Sequence, residues 1–387
     1  MRPDYVVLAA GHGKRLWPIS ESTCKPMARV LEKPVVEWIA SGVLPHANKL
    51  VIVVGQKKEQ VIDLFKSKPY AEKIRFVEQA EQKGTGHALL QARDAVESNS
   101  FVVLNGDNFF TPSVFSLVAK ECANGGWFAV TPRVADRSRY GAYYVENGLI
   151  KQVREKTEKG PGLININLFH APKSFFELLT QLKPSVRGEL EVTDALQQFF
   201  SQEKVRAVEL NGYFNDIGTY WDYLDANAYA CQEIMPSAVL GTLEEGARVE
   251  GKLFLGRNSV VHAGASIEGN CFIGENCVIG RGAELRGNTV IESNCVVGAA
   301  QVNSSVIMRK TRVADGAEIG FSVLCENVCV DKKTVLSCKR PDKKTIKVIL
   351  NGVEVDSRRA ELGSVIGQGV HLGENTRIAA GALVTTG

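Results

Sequence analysis

Aliphatic residues recur at every sixth position through the C-terminal part of this chain: Val249, Leu255, Val261, Ile267, Ile273, Ile279, Leu285, Ile291 and Val297. Gly256, Gly274, Gly280 and Gly298 each follow one of them directly. A period of six fits neither a helix nor a simple hairpin alternation. It suits a coil with three flat sides, in which each hexapeptide supplies one side and turns its aliphatic residue inward. The phase slips once, resumes at Ile307, Val313 and Ile319, and returns at Ile366, Leu372, Ile378 and Val384. Residues 237–387 are therefore expected to form a parallel β-helix.

Three hexapeptides per coil would stack residues eighteen positions apart. Cys277 and Cys295 then fall on successive rungs, about 4.7–4.9 Å apart. That spacing permits a disulfide, but a ladder of small buried side chains is the expectation. None of the nine cysteines sits in a CxxC pair or with a histidine at zinc-ligand spacing, as expected of fillers in a reducing compartment. The repeat is interrupted near 339–360, where Asn351-Gly352 separates two alternating segments, the signature of a type I′ hairpin.

Residues 1–230 follow another grammar. Short apolar runs rich in β-branched residues, "YVVLAA" (5–10), "LVIVVG" (50–55), "FVVLNGD" (101–107) and "WFAVTP" (127–132), alternate with helix-like segments. Such a pattern predicts an α/β domain with a Rossmann-like, mostly parallel mixed sheet. Ligands of such sheets bind at the carboxyl ends of the strands. The first of those ends carries "GHGKRLWPISESTCKPM" (11–27). It is no dinucleotide fingerprint, because Leu16 stands where the third glycine belongs and no acidic residue follows the second strand. Nor is it a P-loop, because Arg15 follows Gly13-Lys14 and position 8 is Leu. What remains is a glycine-rich turn whose amides can approach phosphate oxygens, with Arg15 and Lys25 close behind to neutralise charge.

A net charge of +3 over 387 residues leaves little for an extended nucleic-acid footprint. No apolar run approaches the ~20 residues of a membrane span. The N-terminal "MRPDYVVLAAG" enters a strand directly, without a signal peptide's apolar core. A cytoplasmic protein is expected.

Five segments taken together resemble the sugar-1-phosphate nucleotidylyltransferases: "GHGKRLWP" with "CKPM"; "QAEQKGTGHALLQA" (79–92); "LNGDNFF" (104–110); "YGAYYVENGLIKQVREKTEKGPGLININLF" (140–169); and "FNDIGTYWDYLDAN" (214–227). The resemblance extends through the hexapeptides and is strongest to the bifunctional N-acetylglucosamine-1-phosphate uridylyltransferases/glucosamine-1-phosphate acetyltransferases. It implies a left-handed β-helix, a homotrimer built through it, and attack of a sugar phosphate on a nucleoside triphosphate with loss of pyrophosphate. Carried over position by position, it makes Arg15, Lys25 and Asp107 catalytic. It assigns Ala10, Gly11, Gly13, Gln79, Gly84 and Thr85 to the nucleotide. It assigns Gly141, Glu155 and Asn165 to the sugar and Lys156 to its phosphate. Asp107 and Asp216 become ligands of Mg²⁺. Read without the resemblance, Asp107 is a turn residue at a strand end and Asp216 a cap for the helix near Thr219.

UTP and N-acetylglucosamine 1-phosphate are the first substrates implied, with glucose 1-phosphate or dTTP as alternatives. Asn167 departs from the family, which usually has Gly there, and this leaves the sugar open. The family's acetyl-transfer residues are also altered. No histidine lies between His262 and His371, Gly320-Phe321 replaces a Gly-His, and Cys338 occupies an Asn position. Acetyl transfer is expected to be absent or severely weakened. A nucleotide-sugar sensor without turnover is a further alternative, against which the intact Arg15, Lys25, Asp107 and Asp216 count.

Overall fold

The structure is a computed structural model that describes residues 2–156 and 158–386. By internal contacts the chain forms two units. The first gathers the chain up to His12, Cys24–Met27 and Val35–Asp216. The second gathers Gly13–Thr23, Ala28–Pro34 and the chain from Ile217 onward.

The first unit is built on an eleven-stranded mixed sheet. Four parallel strands lie side by side in the order Ile74–Glu78, Leu50–Val54, Asp4–Ala9 and Ser100–Asn105. Asp4–Ala9 and Leu50–Val54 are buried at every position, which explains why they show no polar alternation. Phe169–Pro172 then runs antiparallel to both Ser100–Asn105 and Trp127–Thr131. Beyond it, Leu149–Glu155, Gly141–Glu146 and Gly162–Asn165 continue the sheet in antiparallel fashion. The core packs Val6, Val51, Val53, Val103 and Phe101 with Phe169, Phe175, Phe176 and Phe199. A separate ribbon pairs Asn108–Phe110 with Phe214–Asp216, and Asp216 falls opposite Asn108.

The second unit contains a left-handed parallel β-helix. Its aliphatic ladder points inward as the period requires: Ile267, Leu285, Val302, Ile319 and Leu336 are all buried. Left-handed corner residues recur down the coil at Asn258, Asn276, Asn294, Lys310 and Asn327. Asparagine dominates that row because its short polar side chain tolerates the αL region better than most.

The eighteen-residue stacking interval holds only in part. Val278 pairs with Val296 eighteen positions on, but Val296 pairs with Arg312 and Arg312 with Cys329. The coils between Val296 and Cys329 are thus shorter, with Ser304 and Phe321 in positive φ at their corners, and the eighteen-residue interval returns where Val365 pairs with Leu383. All nine cysteines are free. Cys277 and Cys295 are buried thiols that donate to the carbonyls of Glu292 (3.2 Å) and Met308 (3.1 Å).

The interruption is a hairpin of Lys347–Leu350 and Val353–Asp356. Asn351 (φ 52°) and Gly352 (φ 78°) form its turn, both in the left-handed region that a type I′ turn demands. No helix among the described residues is long and apolar enough to cross a membrane.

Candidate active site

Lys25 opens a short 3₁₀ turn, Lys25–Met27, and is almost wholly buried. Its Nζ donates to Asp107 and, at 3.1 Å, to Asp216 Oδ1. The Asp107 and Asp216 side chains keep 24% and 26% of their exposure, whereas that of Lys25 keeps 10%. Burial taken alone would lower the ammonium's pKa, but the two carboxylates outweigh it and the pKa is raised. Lys25 is therefore a fixed cation.

Local structure explains each placement. Asp107 follows the strand end at Asn105, where Gly106 N–H donates to Leu8 O at 2.8 Å. A Cβ on Gly106 would stand 2.9 Å from that of Ala9, so only glycine lets the chain cross there. Asp216 ends the second strand of the ribbon that starts just after Asp107, which brings it back beside its partner. The helix Tyr220–Tyr229 takes its cap from Thr219 and Asp222.

On the base side, Gln79 is buried, and its Nε2 reaches Gly84 O (3.1 Å) and His87 Nδ1 (3.0 Å). Gly84 has φ 103°, and a Cβ there would press to 2.6 Å on Leu190 O. Thr85 Oγ1 accepts from Val192 N at 3.1 Å, so its hydroxyl is partly spent on structure. Ala10 O accepts from Gln82 Nε2 at 2.6 Å, while a Cβ on Gly11 would meet open space. Gly13 (φ 65°) and the exposed Arg15 belong to the second unit, where Gly13 O accepts from Ser20 Oγ at 2.9 Å.

On the sugar side, Gly141 lies opposite both Glu155 and Asn165 in the sheet. A Cβ on Gly141 would stand 2.9 Å from Glu155 Oε2. Asn165 Oδ1 accepts from Tyr143 OH and from Asn167 N, each at 2.8 Å. Lys156 is half-exposed, and its Nζ lies 3.3 Å from Glu155 Oε1.

Residues 4–233 match the Nucleotidyl transferase family. This chain belongs to that family. Its residues 249–348 match the GMPPB C-terminal domain, and 362–386 the hexapeptide repeat of succinyl-transferase. The "Bifunctional protein GlmU" of Methanococcus maripaludis is 38% identical, over 98% of this chain and 94% of the relative. The "Bifunctional sugar-1-phosphate nucleotidylyltransferase/acetyltransferase" of Sulfurisphaera tokodaii is 31% identical, over 98% and 93%. A solved putative glucose-1-phosphate thymidylyltransferase from Bacillus anthracis superposes with a TM-score of 0.54 at 26% identity, covering 59% of this chain and 94% of that one.

The structure of this nucleotidyl transferase gives Asn167 a conformation and adds Arg187, which the sequence did not single out. Asn167 adopts φ 54°, the conformation a glycine would supply, and its Nδ2 points to Asn105 Oδ1 at 3.4 Å. A link thus runs from Asn165 through Asn167 to Asn105, two residues before Asp107. Arg187 NH2 lies 3.4 Å from Glu155 Oε1 and 2.8 Å from Glu191 Oε1. Burial, followed by Glu155, raises the pKa of both Tyr143 and Asp194. Glu191 is also raised, by burial and despite Arg187. No periodicity announces Arg187. Its partners lie on a sheet strand and at a helix start, and only packing joins them.

Proposed function

We propose that this sugar-1-phosphate nucleotidylyltransferase moves a uridylyl group from UTP to N-acetylglucosamine 1-phosphate, with Mg²⁺, and releases pyrophosphate. The observation that carries the reading is the convergence of Asp107 and Asp216 on the buried Lys25. A sugar phosphate has a second pKa of about 6, so the nucleophile is already anionic at neutral pH. No general base is called for. The work left to the protein is to hold two polyanions in line and to stabilise the charge that develops.

An ammonium has three N–H donors, and the carboxylates take two, which leaves one for a phosphate oxygen. Arg15, on an exposed turn, is the residue to which the family resemblance assigns a second cation's role toward the triphosphate. Gln79, Gly84 and Thr85 receive the base, and the adjacent strands that carry Gly141, Glu155 and Asn165 receive the hexose, with Lys156 near its phosphate. Asp107 and Asp216 fit a hard divalent ion: both offer carboxylate oxygens, and both are accessible enough for a hydrated ion to arrive. When bound, Mg²⁺ offsets charge on the triphosphate.

Acetyl transfer stands outside this reading, although the Sulfurisphaera tokodaii relative is named for it. His262 Nδ1 is paired with Glu244 (2.9 Å) and His371 Nε2 with Asp331 (2.8 Å). Cys338 Sγ occupies the space above Gly320, 3.0 Å from where a Cβ would be. The flat sides of the coil support a homotrimer, and the nine free thiols support a cytoplasmic location.

Pyrophosphate release measured over a grid of UTP, dTTP, ATP and GTP against N-acetylglucosamine and glucose 1-phosphates tests the proposal. The largest kcat/KM is expected for UTP with N-acetylglucosamine 1-phosphate, and only with Mg²⁺ present. A maximum at glucose 1-phosphate or dTTP would replace the substrate and keep the reaction. No release with any pair, alongside binding of a nucleotide-sugar, would favour the sensor.

A further inference from the structure

A cluster of three metal-ligating side chains stands on the outside of the β-helix, in a place the transfer reaction does not use. The Cys329–Val330 strand stacks in parallel on His371–Leu372, with Cys329 opposite His371. Val330 and Leu372 point into the core, so Cys329, Asp331 and His371 all project outward from adjacent coils. His371 Nε2 lies 2.8 Å from Asp331 Oδ2, and Cys329 Sγ lies 3.9 Å from Asp331 Oδ1. One ligand atom from each residue falls within 4.8 Å of the others, the one such trio of His, Cys and carboxylate groups among the described residues.

We infer that Cys329 Sγ, an Asp331 carboxylate oxygen and His371 Nε2 form a three-ligand site for a borderline divalent cation such as Zn²⁺, with a fourth position open to water. The chemistry selects the ion. A thiolate, an imidazole and a carboxylate together suit Zn²⁺ or Co²⁺, whereas Mg²⁺ and Ca²⁺ take oxygen donors. The geometry is near what the ion needs: bonds of about 2.0–2.3 Å in a tetrahedron put ligand atoms roughly 3.3–3.6 Å apart. The His371–Asp331 and Cys329–Asp331 separations, made to different oxygens of Asp331, differ from that by about half an ångström, and all three ligand atoms lie within 4.8 Å, within reach of side-chain rotation. Binding replaces the His371–Asp331 contact with two metal bonds and transfers the Cys329 proton to water. Because the thiol must lose its proton to bind, binding is expected to tighten as pH rises.

The position gives the site a consequence. The chain leaves the coil between Cys338 and Leu362 and makes the hairpin before returning. An ion held by Cys329, Asp331 and His371 would tie the last coil before that excursion to the first coil after it.

The test uses the full-length reduced protein, stripped with a chelator and titrated with Co²⁺. One thiolate-to-cobalt charge-transfer band per chain is expected, bleached by Zn²⁺. The Asp107–Asp216 pair has no thiolate and cannot produce that band. Cys329→Ser is expected to abolish it. His371→Gln and Asp331→Asn are expected to weaken Co²⁺ binding by at least about 10–100-fold. Cys338→Ser, which alters another half-buried thiol, is expected to leave it intact. Zn²⁺ is expected to raise the melting temperature of the native chain but not of Cys329→Ser. Pyrophosphate release by each variant checks that it is folded. Absence of the band, or its survival in Cys329→Ser, overturns the site. A band without any rise in melting temperature keeps the site and overturns the tie between coils.

Discussion

Replacing Lys25 with Met removes the charge at the centre of the proposed site while keeping most of the side chain's volume. The ammonium's pKa is raised: burial opposes the charged form, and Asp107 and Asp216 more than compensate. A raised folded value means that this stabilisation is fully present below the unfolded pKa of about 10.4 and is lost only as pH climbs through the still higher folded value. From pH 6 to 9 the lysine is charged, so the deficit of Lys25→Met should not depend on pH through this group. In stability, the change leaves two partly buried carboxylates without their cation, a cost of about 1–3 kcal/mol. For a unit of this size that lowers the melting temperature by about 2–4 °C per kcal/mol. In catalysis, loss of one fixed group facing the developing charge costs about 2.7–4 kcal/mol, or roughly 10²–10³ in rate. Pyrophosphate release across that pH range, with a thermal melt on the same samples, measures both. A kcat/KM within about threefold of the native enzyme would show that Lys25 is a structural ion-pair residue and refute the mechanism.

Gly141→Ala places a methyl group against Glu155 Oε2. It is expected to lower kcat/KM for the sugar phosphate about 10–100-fold, from a disturbed charged hydrogen bond, while KM for the nucleotide stays unchanged. Asn167→Gly keeps the φ of 54° and should melt close to the native protein, whereas Asn167→Val should be destabilised by about 1–2 kcal/mol. Comparison of the three thermal melts checks this. His170 is buried beside Trp127 and Phe128, and its Nδ1 lies 3.1 Å from Gly126 O while Nε2 has no partner. Burial first, then Arg206, lowers its pKa, so its stabilising contribution is present above the unfolded value near 6.5 and is lost as pH falls below it. Urea denaturation between pH 7 and 5 should show stability falling by up to about 1.4 kcal/mol per unit from this group, and His170→Phe should flatten that slope.

The β-helix could be read from the residues because its rule is local. Each hexapeptide repeats the same inward aliphatic, and the hairpin turn and many corners carry the Asn or Gly that a positive φ favours. The same reasoning found the strand ends and the glycine-bearing turns of the first unit, since burial on both faces leaves a continuous apolar run. Locality also set the limit. Lys25 meets Asp107 across 82 positions and Asp216 across 191, and no period links them. Their meeting depends on a ribbon that folds Phe214–Asp216 back onto Asn108–Phe110, a matter of sheet pairing and core packing. His371 reaches Asp331 across 40 positions only because a whole hairpin leaves the coil between them, and the shorter coils between Val296 and Cys329 break the eighteen-residue interval before that point. What one residue needs from its neighbours along the chain was written in the sequence. Which distant charges come to share a site was decided when the sheet and the coil closed, because that choice is made by packing over the whole domain.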